Sequence, residues 1–198
     1  LDEALKQDKN SKMAVEATIK DDLILIYGEA TTNAKLNYEQ LAKQVLKEIG
    51  YTEEYNVIVK VNKQSIEINN AVNKDKIMAG DQGIMFGYAT NETKEYMPLT
   101  ILLANKLAKR LTDVRKQAKD SILRPDGKTQ VTIEYENDLP KRVDTIIIAS
   151  QHKENIDYEE LKNLIIDEVI KPIIPKELLD ENTKILINTS GKFTIGGS

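Results

Sequence analysis

The strongest constraint on the fold is an order of predicted elements that occurs twice along the chain. In the first occurrence, β-branched and aliphatic residues predict strands at 13–20, 22–30 and 56–61. Before the third strand, apolar residues recur at helical spacing from Asn37, a helix-capping residue, to Gly50, a helix-stopping one. The first part of the chain is therefore predicted to run strand, strand, helix, strand.

The same order returns in the second half. Strands are predicted at 129–135 and 142–150, a helix at 158–170 and a strand at 183–188. Both helices begin with the lettering Tyr-Glu-x-Leu. Coincidence between two common helix patterns is the alternative, but agreement in both order and lettering favours true repetition. We predict an α/β fold of the α+β type, made of repeated ββαβ domains that each have a mixed sheet with helices on one face.

A long helix is predicted between the two repeats. It starts near Pro98 and carries leucines at core-facing spacing, at positions 99, 102, 103, 107 and 111. A stretch with several glycine and asparagine residues precedes this helix. We place a first sheet-helix domain at 1–72, a linker at 73–96 and a second sheet-helix domain at 97–198.

Composition excludes several classes of protein. The net charge of −4 comes from interspersed signs, so the basic stripe that a nucleic-acid partner requires is missing. No apolar run approaches the roughly 18 residues of a membrane span, and no secretory signal opens the chain. The absence of cysteine excludes disulfides. We expect a cytoplasmic protein, and the starting Leu1 and the final Gly-Gly-Ser suggest a piece of something longer.

Three acidic or amide residues are candidates for ligand binding. Asp81 lies between glycines in Ala-Gly-Asp-Gln-Gly, where the backbone can approach a ligand closely and the carboxylate could hold an ammonium or a hydroxyl. From spacing alone, an ordinary aspartate turn is the favoured interpretation. Glu29 and Gln64 leave apolar strands, where ligands and ordinary exposed residues both occur.

Other polar positions favour structural interpretations. The Pro-Asp-Gly sequence within 124–128 predicts a tight turn. Glu16 interrupts an apolar alternation, which favours the solvent face over a buried ion ligand. His152, the only histidine, has no sequence partner that marks it as a catalytic base, so a structural or surface role is favoured. Gly191-Lys192 is not a P-loop, because Leu186 stands where that motif requires glycine.

Taken together, eight segments resemble the S-adenosylmethionine synthetase family. The string Gly-Asp-Gln-Gly-x-Met-Phe-Gly-Tyr-Ala at 80–89 is highly specific to it. The matches follow the family's order and cover nearly the whole chain: GEATT (28–32), KQS (63–65), AGDQGIMFGYATNET (79–93), MPLT (97–100), LRPDGKTQVT (123–132), VDTIIIASQH (143–152), IKPIIP (170–175) and INTSGKFTIGGS (187–198).

The resemblance implies a fold, an activity and partners. Family members have three domains of flat mixed sheet about a pseudo-threefold axis, of which this chain would hold two. They form homodimers sheet on sheet, often as dimers of dimers, with active sites between subunits. In the family's reaction, the sulfur of the substrate L-methionine attacks the ribose C5′ of ATP and releases tripolyphosphate. The tripolyphosphate is then hydrolysed to pyrophosphate and phosphate. The family uses Mg²⁺ and K⁺, and no catalytic nucleophile is assigned in this chain.

Roles are also implied for particular residues. The positions matching methionine contacts are Glu29, Gln64 and Asp81, and those matching ATP contacts are Asp126, Lys128, Lys192 and Phe193. Glu16 matches the position associated with K⁺, and residues 65–80 match the family's mobile gate. Lys192 stands where the family usually has arginine, and it lacks the planar fork that binds phosphate oxygens in two places.

The family's His-Pro-Asp-Lys and Gly-Arg-Lys segments do not occur in this sequence. We therefore expect the 198-residue piece alone to be inactive. A non-catalytic homologue or fragment that binds a catalytic partner is the alternative, and an unrelated nucleotide-binding module is a third reading.

Overall fold

The chain forms two compact units, each with its own three-stranded sheet. The computed structural model describes residues 1–63 and 82–196, and the units are Leu1–Phe86 and Gly87–Gly197. Both sheets are mixed and both units carry helices, so the α+β fold predicted from the sequence is confirmed.

Two helices and three strands lie in the described part of the first unit, residues 1–63 and 82–86. Its elements are α1 (Asp2–Gln7), β1 (Lys12–Lys20), β2 (Leu23–Thr31), α2 (Tyr38–Ile49) and β3 (Asn56–Asn62). The strand order is β1-β2-β3, with β1 antiparallel to β2 and β2 parallel to β3. Helix α2 is the crossover that a parallel pair needs, because two parallel strands cannot be joined by a tight turn.

Local sequence explains the ends of these elements. The Asn37 side chain accepts a hydrogen bond from the Gln40 backbone N–H at 3.0 Å, which satisfies one free donor at the start of α2. Gly50 ends the helix in the left-handed conformation, with φ of 109°. Along β2, Ile24 and Ile26 are buried while their neighbours Leu23 and Tyr27 are exposed, as the period of two in a strand requires.

The second unit repeats this topology after a long helix. Its elements are α3 (Leu99–Gln117), β4 (Leu123–Glu136), β5 (Leu139–His152), α4 (Tyr158–Leu164), a π-helical stretch (Ile165–Ile170), α5 (Lys171–Ile173), a 3-10 turn (Lys176–Leu178) and β6 (Lys184–Ile187). The order is β4-β5-β6, again antiparallel and then parallel. The predicted repetition of the ββαβ order is thus present in the structure.

The β4–β5 connection is tighter than the sequence suggested. Glu136 pairs with Leu139, so only Asn137 and Asp138 lie in the turn. Both have positive φ, at 51° and 61°, which is the geometry of a type I′ turn. Asparagine and aspartate tolerate this conformation better than other non-glycine residues, so the hairpin closes in two residues and its strands extend further than predicted.

The core of the second unit lies between its sheet and its helices. Of the predicted α3 stripe, Leu103, Leu107 and Leu111 are buried, whereas Leu99 and Leu102 are only partly buried. Leu103, Leu107 and Leu111 belong to one apolar cluster that also includes residues from β5 and from the helical segment 158–174: Val143, Ile146, Ile148, Leu161, Ile165, Val169, Ile170 and Ile174. This packing gives β5 a rigid position in the unit.

Arg142 joins β5 to the segment that precedes β6. Its side chain is 14% exposed and donates to Asp180 at 2.6 and 3.1 Å, to Asp144 at 3.0 Å and to Glu134 at 3.2 Å. The Arg142 hydrogen bond is the main cause that lowers the pKa of Asp180 below its ordinary value of 3.8. Hydrogen bonds from Thr145 and then from Arg142 lower the pKa of Asp144 as well.

These lowered pKa values predict an acid dependence of stability. A carboxylate whose folded-state pKa is depressed stabilises the fold above its unfolded pKa, and loses that contribution as the pH falls through the folded value. We therefore expect Arg142→Met to be less stable than the unchanged protein at about pH 5, with the difference narrowing at about pH 3. Urea unfolding followed by circular dichroism measures both differences.

Lys171→Met provides the control for this experiment. Lys171 pairs with Asp167 one helical turn away, and both side chains are more than half exposed, so little change is expected at either pH. A stability difference between the Arg142→Met and unchanged proteins that stays constant with pH would contradict the role assigned to Arg142.

Candidate functional site

Of the three residues predicted to bind methionine, the structure describes only Glu29. Glu29 lies near the end of β2, half-buried, and is paired in register with Ala14 and Asn62. Gln64 and Asp81 lie outside the described residues, as does the segment 65–80. The convergence of Glu29, Gln64 and Asp81 on one ligand therefore stays a prediction.

Position 28, directly before Glu29, has room only for glycine. A Cβ atom at Gly28 would lie 2.1 Å from the carbonyl oxygen of Ala14 and 3.0 Å from the Cα of Val15. Its φ of 131° is also one that side-chain-bearing residues rarely adopt. Glycine thus lets the β1 backbone come close to β2 immediately before Glu29, which fixes the position of that carboxylate along the strand.

Glu16 lies on β1, opposite Tyr27 of β2, and is exposed. The prediction that the Glu16 side chain faces solvent is confirmed. Among residues 1–63 and 82–196, no group of three or more acidic or histidine side chains is close enough to hold a metal ion.

The turn predicted at 124–128 is wrong, because these residues lie within β4. Leu123 pairs with His152 and Gly127 pairs with Ser150, so four steps along β4 match two along β5. The strand bulges where Pro125 occurs, which is expected because proline has no N–H to give to a strand ladder. The bulge carries Asp126, which is half-buried, and Lys128 follows it, exposed.

The second predicted nucleotide segment is a loop that follows β6. Lys192 is exposed, Phe193 is half-buried, and Gly191 turns the chain with φ of 97°. The His152 backbone N–H donates to the Phe193 carbonyl at 2.9 Å. The Phe193 N–H in turn donates to Nε2 of the His152 ring at 3.1 Å. Both backbone groups of Phe193 are thus held by a single residue of β5.

The His152 ring has a defined tautomer. Its Nδ1 lies 2.8 Å from the Lys153 carbonyl oxygen, which can only accept, so Nδ1 carries the hydrogen. Nε2 is then free of hydrogen and accepts from Phe193. Since His152 is 5% exposed and its ring bonds only backbone groups, the structural role predicted for it is confirmed.

Gln151 connects the two predicted nucleotide segments. Its Oε1 accepts from the Asp126 backbone N–H at 3.3 Å, and its Nε2 donates to the Thr194 carbonyl at 3.0 Å. Gln151 itself is buried, with 3% of its surface exposed. The structure therefore brings the bulge that carries Asp126 next to the loop that carries Lys192 and Phe193.

Asn188 anchors the start of the same loop, and sequence analysis did not single it out. Its Oδ1 accepts from the Ser150 N–H at 2.8 Å, and its Nδ2 donates to the Ser150 carbonyl at 3.0 Å. The side chain thus continues the pairing between β5 and β6 beyond Ile187. Its φ of 44° is positive, a conformation in which asparagine is enriched.

A small cavity of about 140 Å³ lies beside the bulge in the second unit. Its lining includes Thr112, Arg115, Arg124 and Asp126. Two guanidinium groups and one carboxylate therefore occur close to the nucleotide segments. Guanidinium groups suit phosphate oxygens, because they can donate two parallel hydrogen bonds.

None of the helices in the described parts of the chain has the length and apolar character needed to cross a membrane. This holds for α3 as well, since its apolar stripe alternates with lysine and arginine.

The fold consists of repeated ββαβ domains. In the second domain, Gln151 and His152 at the end of β5 hydrogen-bond the loop that follows β6. The family model for the N-terminal domain of S-adenosylmethionine synthetase matches residues 1–76, and the model for its central domain matches residues 76–193. The chain belongs to the S-adenosylmethionine synthetase family, so the resemblance found in the sequence is confirmed.

A curated relative gives the same result. The S-adenosylmethionine synthase of Desulfosudis oleivorans is 46% identical over 210 residues, which cover 100% of this chain and 54% of that protein. This chain therefore spans about half the length of that relative.

Proposed function

We propose that the protein, expressed with its natural termini, makes S-adenosylmethionine from ATP and L-methionine. The observation that carries this proposal is the match of two successive S-adenosylmethionine synthetase domain models along residues 1–193. The 46% identity to a curated S-adenosylmethionine synthase supports it.

The proposed reaction is a displacement followed by a hydrolysis. The methionine sulfur attacks the ribose C5′ and the C5′–oxygen bond breaks, which releases tripolyphosphate. Water then splits tripolyphosphate into pyrophosphate and phosphate. The first step requires in-line alignment of two substrates and stabilisation of a highly charged leaving group, rather than a protein nucleophile. The proposed site residues suit this requirement, because they would position the two substrates and neutralise the charge of the leaving group.

In this proposal, each substrate has its own residues. Glu29, Gln64 and Asp81 bind methionine, and Asp81 pairs with its ammonium group. The nucleotide is bound by Asp126, Lys128, Lys192 and Phe193. Support for the second set comes from Gln151, which hydrogen-bonds both the Asp126 backbone and the loop of Phe193.

We propose Mg²⁺ and K⁺ as the cations, with K⁺ near Glu16. No step of the reaction is assigned to either ion. When bound, Mg²⁺ would neutralise polyphosphate charge.

A homodimer packed sheet on sheet, and a dimer of such dimers, is proposed for the assembly, in the cytoplasm. The outward positions of the first sheet support a protein partner, since Leu23, Tyr27 and Ile58 are each more than a third exposed.

The test is the direct formation of product. The protein with its natural termini is incubated with ATP, L-methionine, Mg²⁺ and K⁺, and S-adenosylmethionine and phosphate are quantified by chromatography. We expect both products, and we expect none from the 198-residue chain assayed in parallel. Binding of both substrates without product would instead support the non-catalytic alternative. Turnover by the 198-residue chain would contradict its expected inactivity.

A further inference from the structure

Strand β5 ends in three consecutive buried polar residues that the proposed reaction does not use. Ser150, Gln151 and His152 are 2%, 3% and 5% exposed. Burying a polar side chain costs free energy unless its hydrogen bonds are satisfied. Both amide bonds of Gln151 and one of the two ring bonds of His152 go to the segments that carry the proposed nucleotide residues.

His152 fixes the backbone of Phe193 in both directions. The residue donates from its own N–H to the Phe193 carbonyl and accepts the Phe193 N–H on its ring. The ring is oriented by its second nitrogen, which donates to the Lys153 carbonyl. Because Lys192 directly precedes Phe193, the position of the Lys192 backbone follows from the same two bonds.

Gln151 fixes the loop against the bulge. Its amide bonds the Asp126 N–H on one side and the Thr194 carbonyl on the other. The loop passes tightly over this amide, since a Cβ at Gly196 would lie 3.2 Å from both Nε2 and Oε1 of Gln151. One side chain therefore sets the separation of Asp126 and the Phe193 loop.

We propose that Gln151 and His152 are positioning residues that hold the Lys192–Phe193 loop at a fixed place beside Asp126, and so set the affinity for ATP. The inference rests on the proposed function, because it takes ATP as the molecule bound there. Neither residue needs to touch the nucleotide. A loop released from them would have to be ordered again on binding, and ordering costs conformational entropy.

The test compares variants that differ in which bonds survive. Gln151→Met has similar volume and loses both amide bonds, and His152→Ala loses the acceptor for Phe193. For each variant of the protein with its natural termini we expect a KM for ATP raised about tenfold, with the KM for methionine unchanged, because one or two hydrogen bonds that order the loop are lost. His152→Gln keeps an acceptor near the position of Nε2, and should recover most of the ATP affinity.

Two further variants separate positioning from general stability. Gln151→Glu keeps the acceptor for Asp126 but turns a carboxylate oxygen towards the Thr194 carbonyl, so the KM for ATP should rise while the fold survives. Ile146→Val removes a methyl group from a fully buried position of the same strand that is not bonded to the loop. It should lower the thermal midpoint and leave both KM values alone.

Calorimetric titration with ATP tests the positioning role independently of product formation. A protein that binds ATP but yields no S-adenosylmethionine contradicts the proposed function, and the ratio of ATP affinities among the variants still tests the positioning role. The inference is overturned by equal ATP affinities in the unchanged, Gln151→Met and His152→Ala proteins. Absence of ATP binding by the unchanged protein, or an equal loss in Ile146→Val, overturns it as well.

Discussion

A Gly28→Ala protein should lose about 3 kcal/mol or more of the folding free energy of its first unit. The added Cβ would lie 2.1 Å from the Ala14 carbonyl oxygen and 3.0 Å from the Val15 Cα. Both are backbone atoms, so no rotation of a side chain relieves the overlap and the two strands must separate. The φ of 131° adds a conformational cost of its own.

Gly127→Ala is the matched control, since Gly127 also lies in a strand. There, an added Cβ would lie 3.5 Å from Leu111 Cδ1 and 3.6 Å from the Ala149 carbonyl oxygen, which are ordinary contacts. A change of less than about 1 kcal/mol is expected, because only the loss of glycine's freedom and a small packing change are involved. Urea unfolding followed by circular dichroism measures both variants, and amide hydrogen exchange assigns the loss to residues 1–63. Equal midpoints for the two variants would contradict the close approach at Gly28.

The repeated architecture could be predicted because its signals are local. Alternating β-branched residues identify β2 and β3, and Asn37 and Gly50 mark the ends of α2 within a few residues of where the structure places them. The π-helical turn at Ile165–Ile170 was not predicted, since its residues have the same apolar spacing as an ordinary helix.

The error at 124–128 has a physical reason. Proline followed by Asp-Gly predicts a turn when only neighbouring residues are considered. In the structure the same residues pair with β5 on either side of a bulge, so tertiary pairing replaces the local preference. A bulge and a turn use similar residues, and only the partner strand distinguishes them.

The hydrogen bonds that Gln151 and Asn188 make around the Lys192–Phe193 loop could not be predicted for a different reason. Its bonds join residues distant in sequence, with Gln151 lying 25 residues from Asp126 and 43 from Thr194. Asn188 bonds Ser150 across 38 residues. Amide side chains have no periodicity that indicates a partner, so such bonds follow only from the fold. Family resemblance identified Asp126 and Phe193 as candidates, and the structure shows what holds their backbones together.

Replacing Asp81 by asparagine should weaken methionine binding more than a hundredfold in the protein with its natural termini, while leaving the fold intact. The prediction follows from the proposed pairing of this carboxylate with the methionine ammonium, since Asp81 lies outside the described residues. Removing one partner of a desolvated ion pair costs about 3–5 kcal/mol, because the other charge stays buried and unpaired. At about 1.4 kcal/mol per tenfold, the dissociation constant should rise more than a hundredfold. Calorimetric titration with L-methionine measures it, with Asp22→Asn as the control because Asp22 is an exposed acid in the β1–β2 turn.

A second ligand shows whether the ammonium is the group that Asp81 recognises. 4-Methylthiobutanoate has the thioether and the carboxylate of methionine but no ammonium. If Asp81 pairs with the ammonium, the unchanged protein should bind this ligand weakly, and Asp81→Asn should weaken it little further. The two substitutions, one in the protein and one in the ligand, then form a double-mutant cycle with a large coupling energy. Independent, additive losses would instead mean that Asp81 acts on methionine through some other group, and the assignment would have to be abandoned.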